Sequence, residues 1–230
     1  MARDEAPPFE RGSTYYNGST IDSNNIPTHL EGKIWVFEDI DLASTTAGAK
    51  PARTNAKVTC MIVRNTSGIT LAAKRTVRLQ KSGTSFLARV DGYQHFTAGV
   101  DQSSDGSIAV NYGPTFVVDE FLTGGAVAND LFWVTIEGPT MVTTPLEGDG
   151  GNVINVGDFV VARTAAASTG TTAGRVQGVT NGILRAVTSD VTRAVAIAAM
   201  QAPNILGTAL SARTTGNTGA DLLINMRRQH

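Results

Sequence analysis

Short apolar segments separated by Gly, Thr, Ser and Asn recur along most of this chain, and this spacing predicts many short β-strands. The most strongly apolar segment is NDLFWVTIEGPTMVTTPL, residues 129–146. It sets Phe132 and Trp133 among β-branched residues, which is typical of a buried strand. Within the same segment, Gly138-Pro139 predicts a turn or a bulge.

A second segment, residues 56–83, predicts a β-hairpin. The turn is expected at residues 64–68 (RNTSG), and ITLAAKRTVRLQ is the expected return strand. The outgoing strand alternates between two faces that are both partly apolar, so we expect a layer of structure on each side of it. These faces consist of Val58, Cys60 and Ile62 on one side and Thr59, Met61 and Val63 on the other.

The remaining pieces complete a mainly β chain. Strands are predicted in GKIWVFEDIDL near the start and in a series of segments of about five to nine residues after residue 149. Residues 194–202 (AVAIAAMQA) also fit a short helix that Pro203 would stop. We therefore expect a β-sandwich or small β-barrel (β-tulip-like) with an extended N-terminal arm, divided into residues 1–31 (arm), 32–148 (β-rich domain) and 149–230 (small β-barrel domain).

The expected arm has aromatic residues without any period, namely Phe9, Tyr15 and Tyr16. Its prolines argue against a helix interior or a central strand. Two interpretations stay open: a frayed terminus, or an extended arm whose aromatics dock on a neighbouring subunit. In either case the fold is expected to survive removal of residues 1–31.

Composition narrows the classes of function. Charged residues make up 17% of the 230 residues and the formal net charge is −1, so nothing favours nucleic-acid binding. The sequence has no apolar run near the roughly 20 residues of a membrane span, and no secretory signal is predicted at its start. Cys60 is the only cysteine, which excludes an intramolecular disulfide and fits a protein made in a reducing cytoplasm.

Candidate catalytic and metal-binding residues are few. The histidines His29, His95 and His230 lack the spacing of a zinc site, although His95 near Asp91 is a candidate general base. Cys60 is expected to be a small core residue rather than a nucleophile. No catalytic, cofactor-binding or metal-binding residue is therefore predicted.

Two further motifs are weak. DQSSDG imitates the start of an EF-hand loop, with Asp101, Ser103 and Asp105 as oxygen ligands, but Tyr112 stands where the closing Glu is needed. EGDGG, residues 147–151, is glycine-rich without the context of a phosphate-binding loop, and it is interpreted as a hinge.

Carboxylates are available for a glycosidase-like pair, but their spacing selects no two of them. They are Asp119, Glu120, Glu137, Asp149 and Asp158. A carbohydrate-binding module would need exposed aromatics, above all Trp35 and Trp133, whereas the sequence sets aromatics in core-like strands.

The C-terminal part resembles the small β domain of head decoration (capsid cement) proteins of tailed bacteriophages. INVGDFVVAR, residues 154–163, is similar to their Gly-Asp turn that leads into an apolar strand. GRVQGVTNGILRAVT is similar to the segment that follows, and ILGTALSARTTGNTGADLLINM, residues 205–226, to their ending. The segments 60–79 and 129–146 are also similar to middle regions of such virion proteins.

The resemblance implies a structural protein of the virion, located on the outer capsid surface. Such proteins bridge major capsid subunits, often as homotrimers, and need no cofactor. The expected partners are thus the major capsid protein and further copies of the chain, without nucleic acid or membrane. A tail- or fibre-associated protein, a carbohydrate-binding β module and, last, an enzyme are the alternatives.

Overall fold

The computed structural model describes residues 6–15, 30–41, 51–79, 88–93, 115–144, 153–162, 175–178, 205–213 and 221–228. In these ranges the chain is mainly β, which confirms the predicted class, and they contain no α-helix. The strands are β1 (Thr14–Tyr15), β2 (Ile34–Ile40), β3 (Ala52–Asn65), β4 (Thr76–Leu79), β5 (Arg89–Tyr93), β6 (Thr115–Val118), β7 (Leu131–Thr143), β8 (Phe159–Ala162), β9 (Val176–Gly178), β10 (Ile205–Ala209) and β11 (Asp221–Met226).

All of these strands belong to one mixed sheet. Its order is β2-β3-β5-β4-β6-β7-β11-β10-β8-β9, with β1 attached to β7. β3 also pairs with β7, so β3, β5, β4, β6 and β7 form a closed circuit of pairings. Only the β3–β5 pair in this circuit is parallel.

The strongly apolar segment forms β7, as predicted, and this strand lies at the centre of the sheet. Val134 is paired with Met61 of β3 on one side and with Val118 of β6 on the other. From Gly138 onward β7 pairs with β11 instead. The β3–β7 register shifts between the Cys60–Thr135 and Thr59–Glu137 pairs, so the extra residue of the bulge is Ile136. The turn or bulge predicted at Gly138-Pro139 is therefore wrong, since β7 continues through both residues in regular pairing with β11.

β3 has two buried faces, as its alternation predicted. Val58, Cys60 and Ile62 belong to a core cluster with Leu30, Leu131 and Trp133, whereas Met61 and Val63 belong to the larger cluster on the opposite face. A strand that is covered on both faces loses nearly all solvent contact, and Ile62 and Val63 are both fully buried.

The predicted hairpin between β3 and the segment after it is wrong. β4 pairs with β5 and β6, not with β3. The Asn65 side chain donates to the carbonyls of Ile69 (2.7 Å) and Ala126 (2.8 Å). These hydrogen bonds hold the segment after β3 against residues 126–130. The strands β2, β5 and β7 pair with the two edges of β3, so no edge is left for a return strand.

The C-terminal strands extend the same sheet. β11 pairs with β7 over six residues, β10 lies between β11 and β8, and β8 pairs with β9. The larger core cluster also runs through this region, from Val63 to Leu222 and Ile224. The three-part division of the chain and the sandwich or small-barrel detail stay predictions. The helix considered at residues 194–202 lies outside the described residues.

Replacing Trp133 by Ala should lower the free energy of unfolding by about 3–5 kcal/mol, because the indole is fully buried between β3 and the N-terminal segment. Chemical denaturation measures this loss. Trp35→Ala is the control and should cost less, since Trp35 is only partly buried. A denaturation midpoint for Trp133→Ala equal to that of the wild type would contradict the packing.

Candidate functional site

Several of the candidate residues lie outside the described part of the chain. They are His29, His95, His230, the EF-hand-like loop at residues 101–112 and the glycine-rich segment 147–151 with Asp149. The side chain of Asp91, the expected partner of His95, is likewise not described.

Two of the predicted carboxylates, Asp119 and Glu120, are brought together just after β6, and both are buried. Arg11 binds Asp119 Oδ1 through Nε (3.2 Å) and Nη2 (3.0 Å), and it reaches Glu120 Oε1 at 3.5 Å. Burial by itself lowers the pKa of Arg11, but Cys60 and the two carboxylates outweigh it and raise the pKa overall. Arg11 is therefore held as a buried cation by two buried anions.

A second arginine closes the network from β3. Arg53 donates to Glu120 Oε2 at 2.6 Å and to Asp39 Oδ1 of β2 at 2.7 Å. The Thr54 hydroxyl donates to the other Asp39 oxygen at 2.6 Å. Burial lowers the pKa of Arg53, and its hydrogen bonds with Glu120 and Asp39 more than offset this, so the pKa is raised.

These contacts make the carboxylate pair a structural joint. Each Glu120 oxygen already accepts from an arginine, and Asp119 Oδ2 accepts from the backbone N–H of Gly12 at 2.5 Å. A general acid or nucleophile needs a carboxyl group that is open to a substrate. Glu137 lies apart from this pair, exposed at the β7 bulge, and Asp158 caps a turn by accepting from the Asn155 N–H at 2.8 Å.

The N-terminal segment is the other half of this joint. Phe9 lies 5.1 Å from the Trp133 ring, centroid to centroid, and its carbonyl accepts from Trp133 Nε1 at 3.2 Å. Thr14 and Tyr15 pair with the start of β7. Residues 6–15 of the expected arm are thus packed on their own chain, against the expectation that the arm is separate from the body.

A second part of the arm is anchored in the same way. Leu30 is buried in the Trp133 cluster, and the buried Glu31 accepts from Arg64 Nε (2.5 Å) and Arg89 Nε (3.3 Å). The sequence did not predict this anchor, because the two arginine partners of Glu31 lie 33 and 58 residues away along the chain. The only local signal was the apolar Leu30 beside an acidic residue.

A cleft of about 820 Å³ opens beside the joint. Its walls are formed by Arg11 and Gly12, by residues 72–74 and by the loop 120–125. Gly125 lies in the left-handed region (φ 80°), and a Cβ there would meet the Leu71 carbonyl oxygen at 2.8 Å. The loop 120–125 therefore packs closely against the backbone of Leu71, and a side chain at position 125 would clash with it.

Trp133 and Cys60 lie in the core. Trp133 is fully buried, and the partly buried Trp35 packs edge-on against it with a ring-centroid distance of 5.7 Å. Trp133 therefore offers no exposed face on which a sugar ring could stack, and Lys33 Nζ lies over the Trp35 ring, 5.9 Å from its centroid. Cys60 is also buried, and burial raises the pKa of its thiol to about 12, which confirms its assignment as a core residue rather than a nucleophile.

Three exposed apolar side chains surround the Gly-Asp turn. Val156 and Phe159 flank Gly157-Asp158, and their side chains are 65% and 53% exposed. Leu210, 40% exposed, adjoins them because Ala209 exchanges backbone hydrogen bonds with Gly157 and Asp158. We call Val156, Phe159 and Leu210 the turn patch.

Across the described ranges there is no group of three or more His, Cys, Asp or Glu side chains arranged to hold a metal ion. The same ranges contain no helix that is long and apolar enough to cross a membrane. No protein-family model, curated protein or solved structure matches this chain.

Replacing Arg11 by Met should lower the free energy of unfolding by about 3–5 kcal/mol, because it leaves Asp119 buried without its cation. Lys57→Met is the matched control: it removes an exposed pair with Glu38 and should cost at most about 1 kcal/mol. Equal losses of unfolding free energy in the two variants, measured by urea denaturation, would show that the buried joint stabilises the fold no more than an exposed ion pair does.

Removing residues 1–15 should also destabilise the fold, by at least about 3 kcal/mol, since the deletion uncovers Trp133 and strips Asp119 of two donors. Thermal unfolding of the truncated and full chains measures the effect. An unchanged unfolding midpoint would contradict this packing and support the expectation that the N-terminal arm is separate from the body.

Proposed function

We propose that this chain is a structural protein of a virion that binds the outer surface of an icosahedral capsid and stabilises it by bridging major capsid subunits. One observation carries the proposal. The three C-terminal segments that resemble phage decoration proteins, which follow one another along the chain, supply four neighbouring strands of the sheet in the order β11-β10-β8-β9. The resemblance thus covers one continuous piece of structure.

The Gly-Asp turn has the form that the resemblance implies. Gly157 has a left-handed φ of 92°, Asp158 caps the turn, and β8 follows with Val160 and Val161 fully buried. The turn holds the turn patch outward on a rigid base. An exposed apolar patch on a turn that leads into a buried strand suits a contact that is repeated by symmetry over many subunits.

The joint and the core favour a structural role over the other classes. The carboxylates that a hydrolase would use are bound by arginines, and the tryptophans that a sugar-binding module would expose are packed together. We further propose that the chain acts on the capsid as a homotrimer, as the resemblance implies. A tail- or fibre-associated protein is the alternative from the same structural class.

Co-sedimentation with expanded shells of the cognate major capsid protein tests the proposal. The wild-type protein should bind saturably, and Phe159→Ser should raise the dissociation constant about tenfold by removing the centre of the turn patch. Val127→Ser is the matched control, because Val127 is an exposed apolar residue outside the patch.

The outcomes distinguish capsid binding itself from the role of the turn patch as its contact. A wild-type protein that stays in the supernatant would refute capsid binding. Equal binding by the wild type and Phe159→Ser would keep capsid binding and reject the turn patch as the contact.

A further inference from the structure

β2 is at the end of the sheet order, and no strand of the described ranges lies along its outer edge, which we call the open edge. Among the described residues it pairs only with β3. The Ile62 N–H donates to the Lys33 carbonyl at 2.9 Å, and antiparallel pairing alternates along the strand from there. The backbone groups of Ile34, Val36 and Glu38 are therefore directed to the open edge.

The outer face of this edge strand is apolar at its first two positions, Ile34 and Val36, and ends in the exposed Glu38. Ile34 and Val36 are 47% and 57% exposed, while Trp35 and Phe37 point to the opposite face and pack in the Trp133 cluster. An exposed edge strand with apolar side chains is a template for pairing with another chain.

A groove of about 660 Å³ adjoins this face. Thr59, which is paired with Val36 and lies on the same face, forms part of its wall. The groove lies where β3 leaves β7 and β11 takes its place, and its other walls include Glu137, Gly138 and Asn225. No β2 side chain lines the groove, but Thr59 and Lys57 connect it to β2 because they pair with Val36 and Glu38.

The groove is basic on a chain whose net charge is −1. Lys57, Arg227 and Arg228 line it, against a single lining carboxylate, Glu137. Lys57 forms only a long exposed pair with Glu38, at 3.6 Å. The side chains of Arg227 and Arg228 are exposed, and neither guanidinium is ion-paired with another described residue.

We propose that β2 and the basic groove together bind an extended acidic segment of a partner protein, which adds to the open edge as a strand. Its apolar side chains pack on Ile34 and Val36, and its carboxylates pair with Arg227, Arg228 and Lys57. Backbone pairing at the edge supplies affinity, and the arginines supply the charge preference. The identity of the partner rests on the proposed function, whereas the chemistry of the site does not.

The test uses a fluorescent peptide of alternating Glu and Val as the probe, with anisotropy as the readout. The full chain should bind this peptide, lose affinity as salt rises, and bind an alternating Lys-Val peptide at least about tenfold more weakly. Alternate N-methylation of the Glu-Val backbone should abolish binding, because it blocks strand pairing but keeps the charges.

Matched variants locate the site. Arg227→Glu and Arg228→Glu should each weaken binding about fivefold or more, since an attraction becomes a repulsion. Lys33→Glu makes the same change of charge on the other face of β2, where the ammonium lies 5.9 Å from the Trp35 ring centroid, and should change affinity less than twofold.

Four results would overturn the proposal: no binding of the Glu-Val peptide, equal binding of the Lys-Val peptide, equal loss in Lys33→Glu, or self-association through β2 in place of peptide binding. Capsid co-sedimentation keeps the two proposals distinct. Peptide binding without capsid binding refutes only the capsid assignment. Capsid binding that Arg228→Glu leaves unchanged, while the same variant loses the Glu-Val peptide, refutes only the capsid protein as the partner at this site.

Discussion

The whole sheet depends on the backbone of β7 at Gly138. Before this residue β7 lies between β3 and β6; after it, β7 pairs with β11 and so joins the C-terminal strands to the rest. The change of partner brings β7 against the backbone of Lys57, and a Cβ at position 138 would collide with the Lys57 carbonyl oxygen. With a φ of 96° as well, the position requires glycine. Glycine at this position therefore allows β7 to pair first with β3 and then with β11, so that the C-terminal strands join the same sheet. The basic groove lies beside this change of partner.

The buried joint of Arg11, Asp119, Glu120, Arg53 and Asp39 complements this backbone constraint. Its ion pairs connect the N-terminal segment, β2, β3 and the end of β6. Beside it, Phe9 packs on Trp133 and accepts a hydrogen bond from the indole N–H. Desolvation offsets much of the attraction in a buried ion pair, but removing one partner leaves an uncompensated buried charge, so an arrangement that separates the partners is disfavoured. In the described residues the joint holds these elements together, and the exposed apolar residues of the turn patch lie in a turn, a strand and a bend. That is the physical basis for proposing a protein that stabilises an assembly by contact.

The parts of this fold that could be predicted from sequence are those that local pattern determines. β7 follows from its own apolar run, and the two faces of β3 follow from strict alternation between Val58 and Val63. The pairing of β3 could not be predicted, because it is decided by β7, some 70 residues later, and by hydrogen bonds of Asn65 to distant carbonyls. The joint was hidden for the same reason: Arg11 and Asp119 are 108 residues apart. Asp119 and Glu120 were candidates as acids, and only their arginine partners show that they are structural.

The central claim is that the chain strengthens a capsid, and the heat stability of expanded shells tests it most directly. Shells of the cognate major capsid protein are heated with and without a saturating amount of this protein, and loss of intact particles is followed by light scattering. Mass action requires that a ligand bound only to the intact shell stabilises it. The account predicts that shells with the protein stay intact to a higher temperature. Identical disruption temperatures at saturating bound protein would contradict it.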